Sequence, residues 1–300
     1  MAFVEKVMRV GATKPNPFTI CIVANPALEA PWKSGIVIPD PIMGQLAAFQ
    51  AAATYIDSAL FGLLPGQKEV LLADPAILPF IRVLSLYDDG LSPALANALV
   101  GQDSSSFLLV ARRNVFVAFL SRYEIQADVV YAVSASVSHT RASAWCTTDD
   151  DAGDGIPFMV DFGQLFHRFN CTIPGTVGIH ATACSLTALH EFGHAVSSYS
   201  NGSIVDLYVD SNPALNNKLG RPIPAGFATY NATPFASDGA RDGIGYPSDW
   251  RSYHCELVDS SRPAVMDDYY QSTTGPEACL HDQITKRFIR DRLLAKINRP

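Results

Sequence analysis

Apolar residues follow two spacings in the first half of this chain, and together they predict a sheet with helices. The run Phe18–Ala24 is apolar at almost every position, which predicts a buried strand, while residues 80–87 predict a further strand and residues 127–138 a central strand. The stretch from Pro41 to Gly62 instead places apolar residues at helical spacing and ends on a glycine, which predicts a helix. The short run EVLLA (69–73) is interpreted as a further strand. The pattern indicates an α+β or α/β fold around a mixed, twisted sheet.

The second half changes in character after about Ala142. Residues 174–183 (PGTVGIHATA) predict a strand that leads into a helix, and residues 279–297 predict an amphipathic C-terminal helix. The apolar positions of that last helix lie near one side: Ile284, Phe288, Ile289, Leu293 and Ile297. The stretch from Asn212 to Pro263 is rich in Pro, Gly, Asn, Ser and Asp, which predicts a long irregular segment. Such a segment in a compact domain usually has a functional role.

Composition narrows the class of protein. The chain has 300 residues, of which 48% are hydrophobic and 17% charged, and this favours a compact globular fold over a disordered one. A net charge of −7 argues against a nucleic-acid surface, which needs a clustered basic patch. No apolar run approaches the roughly 18 residues of a membrane span. The N-terminus carries Glu5, Lys6 and Arg9 without an apolar core, so we expect no signal peptide. The compartment stays open, and a secreted form is compatible if a leader was removed.

Two further features leave alternatives open. The six cysteines are widely spaced and include no C-x-x-C pair, so disulfides and buried thiols both fit. The acidic segment DDDAGDG (149–155) offers carboxylate oxygens that Ca²⁺ prefers. Because it lacks the spacing of an EF-hand loop, a solvated acidic turn is the favoured interpretation.

The segment SLTALHEFGHAVSSYSNG (185–202) contains an H-E-x-x-H motif on a predicted helix. His190 and His194 are four residues apart, so they lie on one helix face one turn apart and can bind one zinc ion. Glu191 is rotated by about 100° from His190, so it can lie beside the metal without ligating it. A carboxylate there can take a proton from a zinc-bound water and pass it to a leaving amine. The alternative is a surface helix that contains these residues by chance.

A catalytic zinc ion usually has a third protein ligand, and the motif does not supply it. The segment SIVDLYVD (203–210) predicts a strand after the turn at Gly202, and Asp206 is its first ionisable residue. Asp206 is therefore the first choice for the third ligand, against the alternative of a turn aspartate that binds backbone or solvent. The rival candidates are Asp210, His254, Glu256 and His281. His139 and His167 have no partner pattern, so we expect them to be ordinary hydrogen-bonded or exposed histidines.

Two motifs together make the chain resemble the zincin metallopeptidases. Besides H-E-x-x-H, the segment RPAVMDDYY (262–270) resembles the Met-turn that metzincin peptidases place under the zinc. The resemblance implies that Met266 is the turn methionine and that Tyr269 or Tyr270 reaches the metal or the transition state. Two positions depart from the metzincin pattern. Ser200 stands at the place of the third histidine, and Asp268 at the place that astacin- and serralysin-like enzymes give to the tyrosine.

The resemblance also implies a fold and a reaction. It implies an upper lobe of residues 1–202 with the active-site helix, and a lower lobe of residues 203–300 with the third ligand and the Met-turn. The implied reaction is zinc-dependent peptide hydrolysis with Glu191 as general base, and the partner is a peptide or protein substrate. In such enzymes the substrate lies extended along an edge strand, for which the sequence suggests residues 175–183. The alternatives are a zinc hydrolase of another amide or ester, and a non-catalytic zinc-binding module.

Overall fold

The computed structural model describes residues 3–9, 17–67, 71–145, 174–183, 185–196, 203–204, 227–230, 233–236, 252–253, 265, 281 and 283–298. Within them the protein is a mixed α+β fold, as the sequence predicts, but it has two mixed sheets and two two-stranded sheets where the sequence predicts one mixed sheet. The helices are α1 (Leu46–Leu60), α2 (Arg113–Ser121), α3 (Ser185–Val196) and α4 (Gln283–Ile297). The strands are β1 (Phe3–Arg9), β2 (Phe18–Ala24), β3 (Ala27–Glu29), β4 (Val37–Pro39), β5 (Ile81–Asp88), β6 (Val100–Gln102), β7 (Leu109–Ala111), β8 (Val129–Ser134), β9 (Ser143–Trp145), β10 (Gly175–His180), β11 (Ser203–Ile204), β12 (Phe227–Tyr230), β13 (Thr233–Ala236) and β14 (Ser252–Tyr253).

The main sheet has six strands in the order β1-β5-β2-β8-β10-β9. Its four central strands, β5, β2, β8 and β10, are parallel, and β1 and β9 pair antiparallel with its two margins. All seven residues of β2 are buried, because both faces of a parallel sheet are covered. This burial on two sides explains the unbroken apolar run of β2 and confirms the predicted buried strand.

Different elements cover the two faces of the main sheet. On one face, alternate β2 residues such as Phe18, Ile20 and Ile22 join the core formed with α1, α3 and α4. On the other face, Cys21 and Val23 join a core formed with α2 and with the second sheet, whose strand order is β4-β3-β6-β7. The alternation follows from the two-residue period of a strand. Helix α3 is thus placed on a different face from the second sheet.

The C-terminal helix α4 packs on the same face of the sheet as α3. Ile289, Leu293 and Ile297 are buried there, which confirms the predicted apolar side at these three positions. Ile284 and Phe288 are predicted to lie on the same apolar side, but the structure does not describe their side chains. At the end of α4, Lys296 Nζ lies 3.2 Å from a carboxylate oxygen of Asp128. The other oxygen of Asp128 accepts a hydrogen bond from Thr19 N at 2.8 Å, so this contact joins α4 to the first residues of β2.

Three sequence predictions need correction. The run EVLLA is not a strand where it is described, because Leu71–Ala73 form a 3-10 turn just before Asp74-Pro75, a pair that favours turns. The stretch from Asn212 to Pro263 is not irregular throughout, because β12 and β13 pair antiparallel within it. β10 is not an edge strand, because it pairs with β8 on one side and with β9 on the other. A short apolar run or a Pro-rich composition does not determine such pairings, which depend on tertiary contacts.

Two open questions are answered in part. Cys21 is a buried thiol and not half of a disulfide. The other cysteines and the acidic segment 149–155 lie outside the described residues. None of the helices that the structure describes is long and apolar enough to cross a membrane.

Candidate functional site

Helix α3 carries the H-E-x-x-H motif and follows β10 through a short turn. Its buried side is formed by Ala188, Phe192 and Ala195, which are at most 1% exposed and recur at helical spacing. The Phe192 ring meets the Phe18 ring of β2 edge-on, with the ring centroids 6.5 Å apart. At the start of β10, Gly175 lies directly against the backbone of Ala195. The motif is therefore fixed on the sheet by backbone as well as by side chains.

The two histidines of the motif point their Nε2 atoms at the same place. The Nε2 atoms of His190 and His194 are 3.2 Å apart, and the ring planes lie at 82° to each other. His190 is only 5% exposed, whereas His194 is half-buried. The helical spacing thus produces the converging pair that the sequence predicts.

The tautomer of His190 is fixed by a backbone contact. Its Nδ1 lies 2.8 Å from the carbonyl oxygen of Val265. Because a carbonyl oxygen can only accept a hydrogen bond, Nδ1 carries the proton, and the lone pair of the neutral ring is on Nε2. Val265 is buried and directly precedes the predicted turn methionine, Met266.

Glu191 lies in a buried environment beside this pair. It is 6% exposed, which is unusual for a glutamate. Beneath α3, burial raises the pKa of the Tyr131 hydroxyl well above its ordinary value, and the charge of Glu191 raises it further. The Tyr131 hydroxyl donates a hydrogen bond to the carbonyl oxygen of Ala188 at 2.8 Å. The carboxylate and the phenol therefore lie within electrostatic range of each other.

Two of the other described histidines, His139 and His180, have hydrogen-bond partners outside the motif. His139 contacts Ser138 Oγ through Nδ1 and the carbonyl oxygen of Asp103 through Nε2, so it is an ordinary hydrogen-bonded histidine, as predicted. His180, at the end of β10, contacts Thr182 Oγ1 and the carbonyl oxygen of Ser136. His281 is fully buried just before α4. Among the described residues, no three His, Cys, Asp or Glu side chains form a group that could hold a metal ion.

Several predicted site residues lie outside the described residues, so the structure does not place them. They are Asp206, Asp210, His254, Glu256, Met266, Tyr269 and Tyr270, together with His167. The described part of the predicted 203–210 strand, β11, pairs in parallel with β14, which ends directly before His254.

Three partners of the motif were not predicted from the sequence. They are the Val265 carbonyl, the Tyr131 hydroxyl and the backbone of Gly175. Only Val265 had a sequence signal, since it adjoins the Met-turn-like segment. No protein-family model matches the chain, and no curated protein is significantly similar to it.

Proposed function

We propose that the protein is a zinc-dependent peptidase in which Glu191 acts as the general base. The observation that carries the proposal is the 3.2 Å approach of the two Nε2 atoms on α3, with Nδ1 of His190 tied to a backbone carbonyl. Metal-ligating histidines almost always donate their other ring N–H to such a partner, which orients the ring. A buried glutamate next to the pair provides the general base that metal-assisted hydrolysis requires.

The donor set fits zinc. Two nitrogen ligands at about 2.0–2.1 Å from a tetrahedral zinc ion are about 3.3 Å apart, close to the spacing of His190 and His194 Nε2. A zinc ion in such a site supplies a Lewis acid for a carbonyl oxygen and lowers the pKa of water at its open position. Asp206 is proposed as the third ligand, with Met266 under the metal and Tyr269 toward the transition state. The proposal includes a zincin-like arrangement of an upper lobe (1–202) and a lower lobe (203–300).

Glu191 performs the proton transfers in this proposal. As the residue after His190, it leaves the helix beside the ligand pair rather than toward it. Its carboxylate accepts a proton from the attacking water and delivers that proton to the nitrogen of the leaving amine, so the peptide bond breaks without a covalent intermediate. Its low exposure keeps bulk water away from the proton in transit.

A peptide is the proposed substrate because the last strand of the main sheet, in the part of the chain that the structure describes, lies beside α3. β9 is the terminal strand of the main sheet, and within the described residues its outer edge pairs with no other strand. β9 packs against both α3 and β10. An extended peptide can add to such an edge through main-chain hydrogen bonds, which suits cleavage of a backbone amide. β9 therefore replaces residues 175–183 as the proposed substrate strand.

The test compares the wild type with Glu191→Gln. The control is Glu124→Gln, which makes the same change at an exposed glutamate outside the motif. Zinc is measured by elemental analysis, and cleavage is measured on a broad peptide library by mass spectrometry. We expect all three proteins to hold one zinc ion, with cleavage lost only in Glu191→Gln, by a factor of about 100 or more. Stoichiometric zinc without peptide cleavage in the wild type would refute the peptidase and favour another zinc hydrolase or a non-catalytic zinc-binding module.

A further inference from the structure

Tyr131 is a fully buried tyrosine in the centre of the sheet, directly beneath the motif helix. It lies on β8 between Val129 and Val133, which face the same core and are also fully buried. Its hydroxyl donates to the carbonyl oxygen of Ala188 at 2.8 Å. Ala188 lies two residues before His190 and three before Glu191.

Neither packing nor the needs of the helix explain this hydroxyl. A phenylalanine would fill the same apolar space without the cost of burying a hydroxyl, which is about 1–3 kcal/mol when it is unbonded. The Ala188 carbonyl lies inside α3, so it already accepts the helical hydrogen bond from Phe192 N–H. The Tyr131 bond is thus an additional tie between the sheet and the helix.

The position of this tie relates it to the ligand pair. Another close contact between α3 and the sheet is the backbone contact of Ala195 with Gly175. Ala188 and Ala195 are two helical turns apart, and His190 and His194 both lie between them. The Tyr131 and Gly175 contacts lie on either side of the two histidines and together fix the rotation and the translation of this part of α3. The directions in which the Nε2 atoms of His190 and His194 point therefore depend on both contacts.

The geometry points to Tyr131 as a positioning residue that holds α3 in the rotation at which His190, Glu191 and His194 share one site. The inference rests on the proposed function, because it assumes that this site binds a metal ion. The influence of the Glu191 charge on the pKa of Tyr131 agrees with the proximity of the two groups. Tyr131 acts through the Ala188 peptide group and touches neither metal nor substrate in this proposal.

The chain offers a matched control in Tyr87. It is 2% exposed, lies on β5 of the same sheet, two strands from β8, and its hydroxyl accepts a hydrogen bond from Gly44 N at 2.7 Å. Tyr87→Phe also removes one buried hydroxyl, but at a place where the partner is the segment before α1. In addition it leaves the Gly44 N–H without that acceptor, so it should cost at least as much stability as Tyr131→Phe.

The experiment measures zinc affinity by competition with a chromophoric chelator, and the visible spectrum of the Co²⁺-substituted protein. We expect Tyr131→Phe to weaken zinc binding about tenfold or more and to change the Co²⁺ bands, because the ligand directions are no longer fixed. In peptide cleavage, kcat should fall while KM stays close to that of the wild type. Tyr87→Phe should keep the zinc affinity, the Co²⁺ bands and kcat, although its melting temperature falls.

The zinc affinity, the Co²⁺ spectrum and kcat test the role of Tyr131 separately from the proposed peptidase activity. Wild-type zinc affinity, spectrum and kcat in a folded Tyr131→Phe protein overturn the positioning role even if the wild type is a peptidase. If the wild type binds zinc but cleaves no peptide, the peptidase fails, and the zinc affinities still decide the role of Tyr131. Should Tyr131→Phe not fold, 3-fluorotyrosine is placed at position 131, where its hydroxyl is a stronger donor. Zinc binding as tight as in the wild type, or tighter, supports the role, and weaker binding overturns it.

Discussion

Gly175 offers a direct way to disturb the motif helix without changing any residue of the motif. It is the first residue of β10, and its missing side chain allows the strand to touch the backbone of α3. A Cβ atom at this position would lie 2.1 Å from the carbonyl oxygen of Ala195 and 2.7 Å from its carbonyl carbon. Both atoms belong to the backbone, so no side-chain rotation can relieve the overlap. Gly175→Ala must therefore separate α3 from β10 next to His194.

The size of the displacement follows from the contact distances. Real Cβ contacts are essentially never closer than 3.0 Å, so the Ala195 oxygen must move from 2.1 Å to at least that distance. Metal sites tolerate changes of only about 0.2 Å in ligand distance. Because His194 precedes Ala195 and Tyr131 holds the helix at Ala188, the movement should separate the His194 and His190 Nε2 atoms. We expect zinc affinity to fall about 10–100-fold, together with an overpacking cost of about 1–3 kcal/mol in stability.

Gly178→Ala is the matched control for this prediction. Gly178 lies on the same strand, and a Cβ there would also meet a carbonyl oxygen, that of Leu109, at 2.5 Å. That contact is with β7, on the sheet face opposite to α3. The assay is a chelator competition for zinc with a parallel thermal melt of each variant. We expect both variants to melt lower and only Gly175→Ala to lose zinc affinity. Equal zinc affinities in the two folded variants would refute the reasoning.

The remaining predictions concern the third ligand and the acid stability of the fold. Asp206→Ala should lower zinc affinity sharply in a chelator competition, because it removes a charged ligand, and an unchanged affinity would direct the search to His254 or Glu256. Hydrogen bonds from the backbone N–H of Ala76 and, to a smaller extent, from Arg290 hold the pKa of Asp74 below its usual 3.8. The Asp74 carboxylate therefore stabilises the fold above about pH 4. This contribution is lost as the pH falls through the pKa that Asp74 has in the folded protein. Asp74→Asn should thus be less stable than the wild type in urea at neutral pH, and the difference should shrink near pH 2; a gap that is constant with pH would contradict the assignment.

The sequence predicts those elements of this fold that are determined by their own residues, and it fails for elements that depend on contacts with distant parts of the chain. The buried strand Phe18–Ala24 was predicted with its bounds, because an apolar run in a parallel sheet reports burial on both faces. The helix before Gly62 was also predicted, and Gly62 adopts a positive φ of 66° just after it. EVLLA has the same composition as a strand, but its described residues, Leu71–Ala73, form a 3-10 turn that packs Leu71 and Leu72 into the core and pair with no described strand. Pairing partners, and not composition, decide such short runs.

The candidate site divides in the same way. The four-residue spacing of His190 and His194 was enough to predict their convergence, since helix geometry alone produces it. The carbonyl that fixes the tautomer comes from Val265, 75 residues away, and although the Met-turn-like segment marks this region, nothing in the sequence indicates that its backbone meets His190. Tyr131 and Gly175 likewise belong to strands whose order in the sheet is not apparent from their residues. Contacts of this kind follow only from the assembled fold.

These contacts explain why the motif by itself is a weak argument for metal binding and why its setting strengthens the argument. A helix brings His190 and His194 together in any protein, but it does not choose which ring nitrogen carries the proton. Here the choice is made by a backbone carbonyl, and the rotation of the helix is set by contacts on both sides of the pair. An isolated surface helix would need neither contact. The cost of burying His190 and Glu191 against them is accounted for by the proposed metal site, which uses both together with the half-buried His194.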